Sequence, residues 1–340
     1  MTNIKDIAQY CGVAVSTVSR VLNDHPDVSE ATRIKVMEAV EKFHYIPNNS
    51  ARNLVKTTSD SIALLVKGVN NIFFSRLIKV IEREVTERGY TLELHHMDSS
   101  DDELRYAELL AAERRLRGIV FLGGRFNYMP EEIAFINVPF VMCTYTNSFG
   151  SLSESAYSSV AIDDTQAARL AVNTLYEKGH RDIALLCDEE NDKSISELRT
   201  DGYRAALDEH GIPFDETLVA CSGSFSDMAA IHASVTRLIE SKRRFSAIFA
   251  IADTMAIAAI KALSDAGIRV PEDCSIIAID GLELTEYTLP VLTTLVQPAE
   301  KIAAECAGTI VDLIEGRSEN RHVLFEAALR EGGSVRTVTR

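Results

Sequence analysis

The sequence predicts a multi-domain molecule, with an all-α helix-turn-helix headpiece followed by an α/β body of two doubly wound lobes. Near the N-terminus, two short apolar-striped helices flank Gly12, which is the helix-turn-helix spacing. From residue 61 onward, continuous apolar strands alternate with helices, a pattern typical of parallel sheets covered on both faces. The pattern then restarts, because Ile-Ala-Leu-Leu occurs at 62–65 and again at 183–186. This repeat predicts the second lobe.

The first two helices each have one apolar face, and Gly12 stands where the first should end in a left-handed conformation. The apolar positions are Ile4, Ile7, Ala8 and Cys11 in the first helix and Val18, Val21 and Leu22 in the second. Ser16, Arg20 and Asn23 lie on the opposite face of the second helix. A helix in the DNA major groove needs such a polar face, because arginine can bond guanine bidentately.

A third helix should complete the headpiece. Ser29 is a good N-cap for it, and Val36, Val40 and Phe43 supply a core face. Three such helices would also suit a surface subdomain of an enzyme, so periodicity alone leaves both interpretations open.

Three segments then resemble the headpiece of the lactose-repressor (LacI/GalR) family of ligand-responsive transcription regulators. They are Ile4-Lys5-Asp6-Ile7-Ala8, the run from Cys11 to Asn23, and Tyr45-Ile46-Pro47-Asn48. The resemblance implies that Val15, Ser16 and Arg20 read DNA bases. It implies phosphate contacts from Thr17, Asn23, Ser29 and Thr32. Ala14 departs from the family, which usually has serine there, and its loss of a capping oxygen should cost about 1 kcal/mol locally.

A short helix is expected after Pro47, with Asn48 as its cap. An isolated helix of one or two turns does not persist in water, so the segment could also be a plain solvated linker. The resemblance implies a hinge helix that forms in the DNA minor groove, paired with its copy from a second subunit. Asn48 would contact phosphate, Ala51 would let the paired helices approach, and Leu54 would wedge between base steps.

The resemblance extends over the chain and implies a periplasmic-binding-protein-like body. The expected domains are a DNA-binding domain at 1–46, a hinge at 47–59 and an effector-binding and dimerisation domain at 60–340. The N-lobe should comprise about 60–162 plus 290–325. The C-lobe should comprise about 163–289 plus the C-terminal strand.

Net charge is −15, whereas a DNA-binding protein is expected to carry positive charge. Residues 1–59 hold seven Lys or Arg and six Asp or Glu, so the headpiece is +1 and the remainder is −16. The electrostatic attraction for DNA is therefore weak, and the DNA interpretation rests on the motif. The start of the chain lacks an apolar secretory segment, which predicts a cytoplasmic location.

The six cysteines show no metal spacing, so reduced thiols are expected, with no metal site and no cofactor. No nucleotide-binding glycine motif and no nucleophile elbow occurs, which argues against an enzyme and against catalytic residues.

The loops that follow the strands supply the candidate effector-binding residues, because such sheets bind ligands beyond the carboxyl ends of their strands. Their candidates are Phe73, Phe74, Asp163, Arg199, Phe225, Asp253 and Asp280. The resemblance points to Arg199, Phe225 and Asp280 in particular, while the two adjacent phenylalanines could equally be lobe core. An arginine facing an aspartate suits a polyol, which offers both donors and acceptors. Ala252 stands where many sugar-binding members have asparagine.

The sequence thus predicts a sequence-specific repressor whose operator affinity is set by a small, uncharged sugar bound between the lobes. With no leucine-heptad tail, a homodimer on a pseudo-palindromic operator is expected. Three alternatives stay open: a catabolite-control-type regulator gated by a phosphoprotein partner, a cytosolic sugar-binding protein, and an enzyme.

Overall fold

The structure is a computed structural model. It describes residues 4–22, 27–43, 60–68, 70–98, 100–113, 116–189 and 193–338. The chain divides into two compact units, Met1–Ser59 and Asp60–Arg340. In the part of the chain that is described, no helix is both long and apolar enough to cross a membrane.

The headpiece contains three helices around a small apolar core. They are α1 (Ile4–Cys11), α2 (Val15–Leu22) and α3 (Glu30–Lys42). Its buried residues are Ile7, Ala8, Cys11, Val18, Val21, Val36 and Ala39. Gly12 adopts a φ of 63°, the left-handed conformation expected where α1 ends. Phe43 differs from the prediction, because it is 36% exposed and lies edge-on against Tyr10 instead of entering the core.

The N-lobe of the body is built on a parallel sheet. In chain order its strands are β1 (Ser61–Lys67), β2 (Thr91–Met97), β3 (Gly118–Leu122), β4 (Phe140–Cys143), β5 (Ser158–Ile162) and β11 (His322–Phe325). Their spatial order is β11-β5-β4-β3-β1-β2. Every residue of β3, β4 and β5 is buried, as expected for apolar strands covered on both faces.

The C-lobe repeats this architecture. Its strands are β6 (Ile183–Cys187), β7 (Val219–Cys221), β8 (Ala247–Ala250), β9 (Ser275–Asp280), β10 (Thr293–Val296) and β12 (Ala328–Arg330). Their spatial order is β12-β10-β9-β8-β6-β7, and β12 alone among these described strands pairs antiparallel. The similar order of β2-β1-β3 and β7-β6-β8 is the structural counterpart of the repeated Ile-Ala-Leu-Leu.

Helices follow most of these strands. They are α4 (Ile72–Glu87), α5 (Glu103–Glu113), α6 (Pro130–Ile133), α7 (Asp164–Glu177), α8 (Ile195–Glu209), α9 (Met228–Glu240), α10 (Asp253–Asp265) and α11 (Ala299–Ile314). α11 packs on α4 and on β3, β4 and β5, so it belongs to the N-lobe.

The chain crosses between the lobes after β5, after β10 and after β11. This corrects one predicted boundary, because the expectation assigned 290–325 to the N-lobe. Thr293–Val296 pairs with β9 and β12 in the C-lobe sheet instead. A short apolar strand that lies just before a crossover carries no sign of which sheet it will join.

Candidate functional site

The face of α2 predicted to read DNA is accessible in the headpiece unit. Ser16 and Arg20 are exposed, and Val15 is 40% exposed although it is apolar. An exposed valine at the start of a helix adds little to the core, and such a methyl-bearing side chain can contact the thymine methyl group in the major groove. The structure thus places all three predicted base-reading side chains on accessible surface, with Thr17 half-buried beside them.

The start of α2 is closed by backbone alone. The carbonyl of Ala14 accepts the amide hydrogens of Thr17 and Val18 at 2.9 and 3.2 Å. At α3, the Ser29 hydroxyl accepts the Thr32 amide at 3.4 Å and lies 2.8 Å from the Thr32 hydroxyl. The remaining predicted DNA contacts lie outside the described residues: Asn23, Asn48, Ala51 and Leu54.

The body holds a cleft of about 850 Å³ between the carboxyl ends of the strands of its two lobes. The N-lobe contributes the segments after β1, β2, β3 and β4, and the C-lobe contributes those after β6, β7, β8, β9 and β10. Five predicted effector-binding residues line it: Phe73, Phe74, Arg199, Phe225 and Asp280. Phe73 and Phe74 are at the same time 6% and 9% exposed members of the apolar core, so both interpretations of this pair hold.

Four charged side chains form a buried group on the C-lobe side, here called the C-lobe cluster: Asp164, Arg199, Asp253 and Asp280. Arg199 donates from Nε to Asp164 Oδ1 at 2.9 Å, and its Nη1 lies 3.5 Å from Asp280 Oδ1. Arg199 also donates to the carbonyl of Ile251. One cation therefore serves several acceptors within a group that water scarcely reaches.

Burial raises the pKa of every aspartate in the C-lobe cluster. It raises the pKa of Asp164 to about 6, against the opposing charge of Arg199. It raises the pKa of Asp253 to about 7, and the neighbouring negative charge of Asp280 adds to this rise. The pKa of Asp280 is also raised by burial, although Arg199 and a 2.8 Å bond from Gln297 Nε2 favour its charged form. Three carboxylates with one arginine do not all ionise readily.

Asp280 also has an unusual backbone. Its φ is 134°, in a region that residues with a side chain rarely adopt. Strain of this kind persists where the surroundings hold the residue, and it is common at ligand-binding positions. Here Arg199 and Gln297 hold the carboxylate at the cleft surface.

Two predicted residues, Asp163 and Asp253, are not part of the cleft lining. Asp163 is exposed and caps α7, since its side chain accepts the Gln166 amide at 2.9 Å. Asp253 is fully buried and accepts the Leu282 amide at 2.7 Å and the Thr294 hydroxyl at 2.6 Å. Both carboxylates thus satisfy local backbone and side-chain donors instead of facing the cleft.

A second group lies on the N-lobe side, in which Glu103 and Tyr128 are buried and Lys67 and Arg125 are half-buried. These four side chains are here called the N-lobe cluster. Glu103 is 1% exposed and receives Lys67 Nζ at 2.6 Å, the Tyr128 hydroxyl at 2.5 Å and the Arg125 amide at 2.9 Å. Burial opposes ionisation of Glu103, but these three hydrogen bonds outweigh it and hold its pKa below the usual value. Lys67 and Arg125 both line the cleft.

The sequence alone did not identify Asp164, Gln297 or any member of the N-lobe cluster. For Asp164 a signal existed, because the adjacent aspartates at 163 and 164 follow a strand, and only one of two such neighbours can cap the helix. Gln297 directly follows the end of β10, so the rule that ligands lie beyond strand ends would have found it. Glu103 gave no such sign, since an acidic residue in the first turn of a helix is ordinary.

The two units together define a class of protein. A helix-turn-helix unit with an accessible polar face accompanies a two-lobed body whose cleft is lined by hydrogen-bonding and aromatic groups. That combination is a ligand-responsive, DNA-binding regulator.

Comparisons with known proteins agree. The family of bacterial regulatory proteins, lacI family, matches residues 3–48, and a periplasmic binding protein-like domain matches 172–335. The HTH-type transcriptional regulator MalR of Clostridium butyricum is 40% identical over 336 residues, 98% of each chain. The HTH-type transcriptional repressor PurR of Vibrio atlanticus is 32% identical over 99% of this chain and 100% of its own. A solved transcriptional regulator CelR-cellobiose complex has a TM-score of 0.72 at 28% identity, covering 98% of this chain and 100% of that one.

The chain belongs to the lacI family of bacterial regulatory proteins. Both the predicted resemblance and the predicted fold class are confirmed. Because its full-length relatives are transcription regulators, the chain is a DNA-binding transcription regulator and not an enzyme.

Proposed function

We propose that this regulator is a repressor whose affinity for its operator is set by a small, uncharged sugar bound in the cleft. The observation that carries the proposal is the pairing of Arg199, a donor, with Asp280, an acceptor, on a cleft surface that also has aromatic faces. A polyol offers hydroxyl groups that donate and accept, and its apolar ring faces pack on aromatic side chains. The structural relative that is a cellobiose complex supports a saccharide.

The charges of the cleft favour a neutral ligand. Its lining holds four cationic side chains, Lys67, Arg125, Lys193 and Arg199, and four acidic ones, Asp98, Asp188, Glu189 and Asp280. Three of the cations already form ion pairs: Lys67 with Glu103, Arg125 with Glu132 and Arg199 with Asp164. A sugar phosphate would have to compete with these internal carboxylates, whereas a neutral sugar would not.

The proposed assembly is a homodimer on a pseudo-palindromic operator, with 1–46 as the DNA-binding domain and 47–59 as the hinge. A regulator of this kind acts on chromosomal DNA, so we place it in the cytoplasm. Val15, Ser16 and Arg20 would read bases, and Thr17, Asn23, Ser29, Thr32 and Asn48 would contact phosphates. Ala51 and Leu54 would act in the minor groove. The coupling would then run from the cleft to the spacing of two hinges.

A panel titration tests the effector proposal. Operator DNA is first selected from random duplexes with the full-length chain, and its affinity is then measured with cellobiose, maltose, ribose, glucose 6-phosphate or hypoxanthine present. We expect a neutral saccharide to shift the affinity, while the phosphate and the purine leave it unchanged. If only the sugar phosphate, the purine or an added phosphoprotein shifts it, the proposal of a neutral sugar fails.

A substitution tests the DNA-reading face. Arg20→Ala should relax base specificity at one position in each half-site, at about 1–3 kcal/mol, because a bidentate contact to guanine is lost. Lys35→Ala, at an exposed position of α3, is the matched control and should leave base preference unchanged. Selection from random duplexes measures both. A loss of affinity that is uniform over all sequences would assign Arg20 to phosphate instead.

A further inference from the structure

Two cysteines meet at the edge of the C-lobe sheet, directly before segments that line the cleft. Cys187 ends β6 and Cys221 ends β7, and the two residues are register partners. Their Sγ atoms are 3.3 Å apart. Cys187 is fully buried, whereas Cys221 is half-buried. The residues that follow each of them in the chain, Asp188 and Gly223 among them, line the cleft.

The placement suits a covalent bond between the two sulfurs. Directly paired residues on neighbouring strands lie about 4.8 Å apart, within the 4.4–6.8 Å range that a disulfide spans between Cα atoms. The two side chains also project from the same face of the sheet, since they share a register position. A disulfide has an S–S distance of about 2.05 Å, so the sulfurs would have to approach by roughly 1.3 Å from their present 3.3 Å.

Cys221 is the partner that can move. β7 is the edge strand of its sheet, it has three residues, and Cys221 is the last of them. Among the described strands only β6 pairs with it, and the Ser234 hydroxyl of α9 donates to the Cys221 carbonyl at 2.8 Å. The required approach of roughly 1.3 Å therefore displaces the end of one edge strand, together with the α9 contact to Cys221. By contrast, Cys274 is buried beside β9, and its thiol donates to the Ser275 carbonyl at 3.5 Å instead of contacting a sulfur.

We propose that Cys187 and Cys221 form a redox-sensitive modification site, which a hydroperoxide converts into a reversible disulfide. The thiolate of Cys221 attacks one oxygen of hydrogen peroxide, the O–O bond breaks, and a sulfenic acid and a water form. The Cys187 sulfur then attacks the Cys221 sulfur and expels the second water. The two thiols lose two electrons, and the peroxide becomes two waters. A dithiol reductant reverses the bond by exchange.

The disulfide would change the cleft through the segment that follows β7. The Ser222 amide donates to the Cys187 carbonyl at 3.0 Å, and the Gly223 amide donates to the Asp188 carbonyl at 2.9 Å. These hydrogen bonds tie the start of the segment to β6, so drawing Cys221 toward β6 should shift this attachment and, with it, Ser224, Phe225 and Ser226, which line the cleft. We expect oxidation to lower effector affinity, and this step rests on the proposed function.

The first experiment detects the bond itself. The reduced full-length chain is treated with hydrogen peroxide and digested, and linked peptides are mapped by mass. We expect two thiols to disappear and a linked Cys187–Cys221 peptide to form, reversed by dithiothreitol. Cys274→Ser is the matched control and should form the same link, whereas Cys221→Ser and Cys221→Ala should not. If Cys221 is recovered only as a sulfinic acid, or is linked to another cysteine, the proposal is overturned.

The second experiment measures the effect on the cleft without any ligand. Hydrogen exchange across 222–228 should change severalfold on oxidation of the unsubstituted chain and of Cys274→Ser, but not of Cys221→Ser. Unchanged exchange in an oxidised, linked protein would refute the coupling to the cleft. Where a sugar from the panel binds, its affinity should fall about tenfold on oxidation, the loss expected for one aromatic contact. If no sugar binds either form, the proposed effector fails, while the linked peptide and the exchange still decide the redox proposal.

Discussion

The two sides of the cleft differ in how their charged side chains are neutralised. In the N-lobe cluster, Lys67 pairs with Glu103, Arg125 pairs with Glu132 outside the cluster, and hydrogen bonds hold the pKa of Glu103 below its usual value. The C-lobe cluster holds three buried aspartates and the single cation Arg199, which pairs with Asp164 and Asp280, and burial raises the pKa of all three aspartates. One side is electrically balanced, while the other carries an excess of buried carboxyl groups.

This difference determines which interactions each side can make with a ligand. On the N-lobe side the charges are neutralised by internal ion pairs, so this side can position a ligand that carries no charge. On the C-lobe side Asp280 is the carboxyl of the cluster that lines the cleft, so a ligand hydroxyl can donate to it, whereas Asp164 and Asp253 are engaged inside the lobe. A neutral polyol fits both sides, whereas an anion would add to the C-lobe excess.

The largest loss of unfolding free energy should come from removing Arg199, the one cation of the C-lobe cluster. Arg199→Ala leaves Asp164 and Asp280 buried without their partner and the Ile251 carbonyl without its donor. Breaking a buried ion pair in this way destabilises a protein by about 3–5 kcal/mol. Urea unfolding of the full chain measures the loss, and effector binding should disappear with it.

A matched arginine keeps this test specific. Arg169 makes a bidentate pair with Glu209 on the exposed surface of the same lobe, so Arg169→Ala should have a small effect. If the two substitutions lower the unfolding free energy equally, Arg199 does not hold the C-lobe cluster together.

The next prediction is that the unfolding free energy depends on pH with opposite signs for the C-lobe and N-lobe clusters. Asp253 has a folded pKa of about 7 and an ordinary unfolded pKa near 3.8, so the folded state holds the extra proton between these values. Stability therefore falls as pH rises from about 4 to 7, by on the order of 1 kcal/mol per pH unit. Asp164 adds the same sign up to about pH 6. Urea unfolding at several pH values measures the slope.

Asp253→Asn isolates this contribution. The amide oxygen can still accept the Leu282 amide, and the Thr294 hydroxyl can turn to accept from the amide nitrogen. The slope between pH 4 and 7 should become shallower, with the part due to Asp164 remaining. An unchanged slope would show that Asp253 is ionised at every pH between 4 and 7, so that the C-lobe cluster carries one more negative charge.

How much of this contrast could be predicted from sequence depends on the range of the signal. Apolar periodicity located α1, α2 and most strands, because it is local, and motif resemblance located Arg199 and Asp280 at strand and helix positions. Asp163 and Asp164 both follow a strand, and only the side-chain direction decides which carboxyl caps α7 and which enters the C-lobe cluster. Glu103 and Lys67 lie 36 positions apart, and only the fold brings them to 2.6 Å. β10 was assigned to the wrong lobe for the same reason.

A smaller effect is expected on the balanced N-lobe side. Glu103→Gln keeps the shape of the side chain but removes the charge that Lys67 and the Tyr128 hydroxyl engage. The loss of unfolding free energy should be about 1–3 kcal/mol, since hydrogen bonds to a charged group are weakened and the half-buried ammonium of Lys67 loses its charged partner. Because the folded pKa of Glu103 is lowered, its stabilisation is present above its unfolded pKa and is lost as pH falls through the folded value.

The control for this substitution is a double variant. Lys67→Met combined with Glu103→Gln removes both charges, and it should be more stable than the sum of the two single losses predicts. Glu132→Gln, on the half-exposed partner of Arg125, should have less effect than Glu103→Gln. Additive losses in the double variant would mean that Lys67 and Glu103 do not act as a pair.

The smallest effect on the unfolding free energy concerns two helix starts that both contribute to the cleft lining. In the N-lobe, Asn71 caps α4 by accepting the Phe73 amide at 3.1 Å, whereas in the C-lobe Ala252 stands at the same position of α10 without a side-chain cap. Ala252 already has the extended backbone that an N-cap requires, with φ −143° and ψ 150°. Ala252→Asn should therefore stabilise the body by about 1 kcal/mol, and Asn71→Ala should destabilise it by a similar amount. Thermal unfolding of the two variants compares these changes in stability.

Since position 252 also lines the cleft, the amide introduced by Ala252→Asn should change which sugars bind. A stabilised variant with an unaltered sugar preference would separate the capping role of this position from any role in recognition.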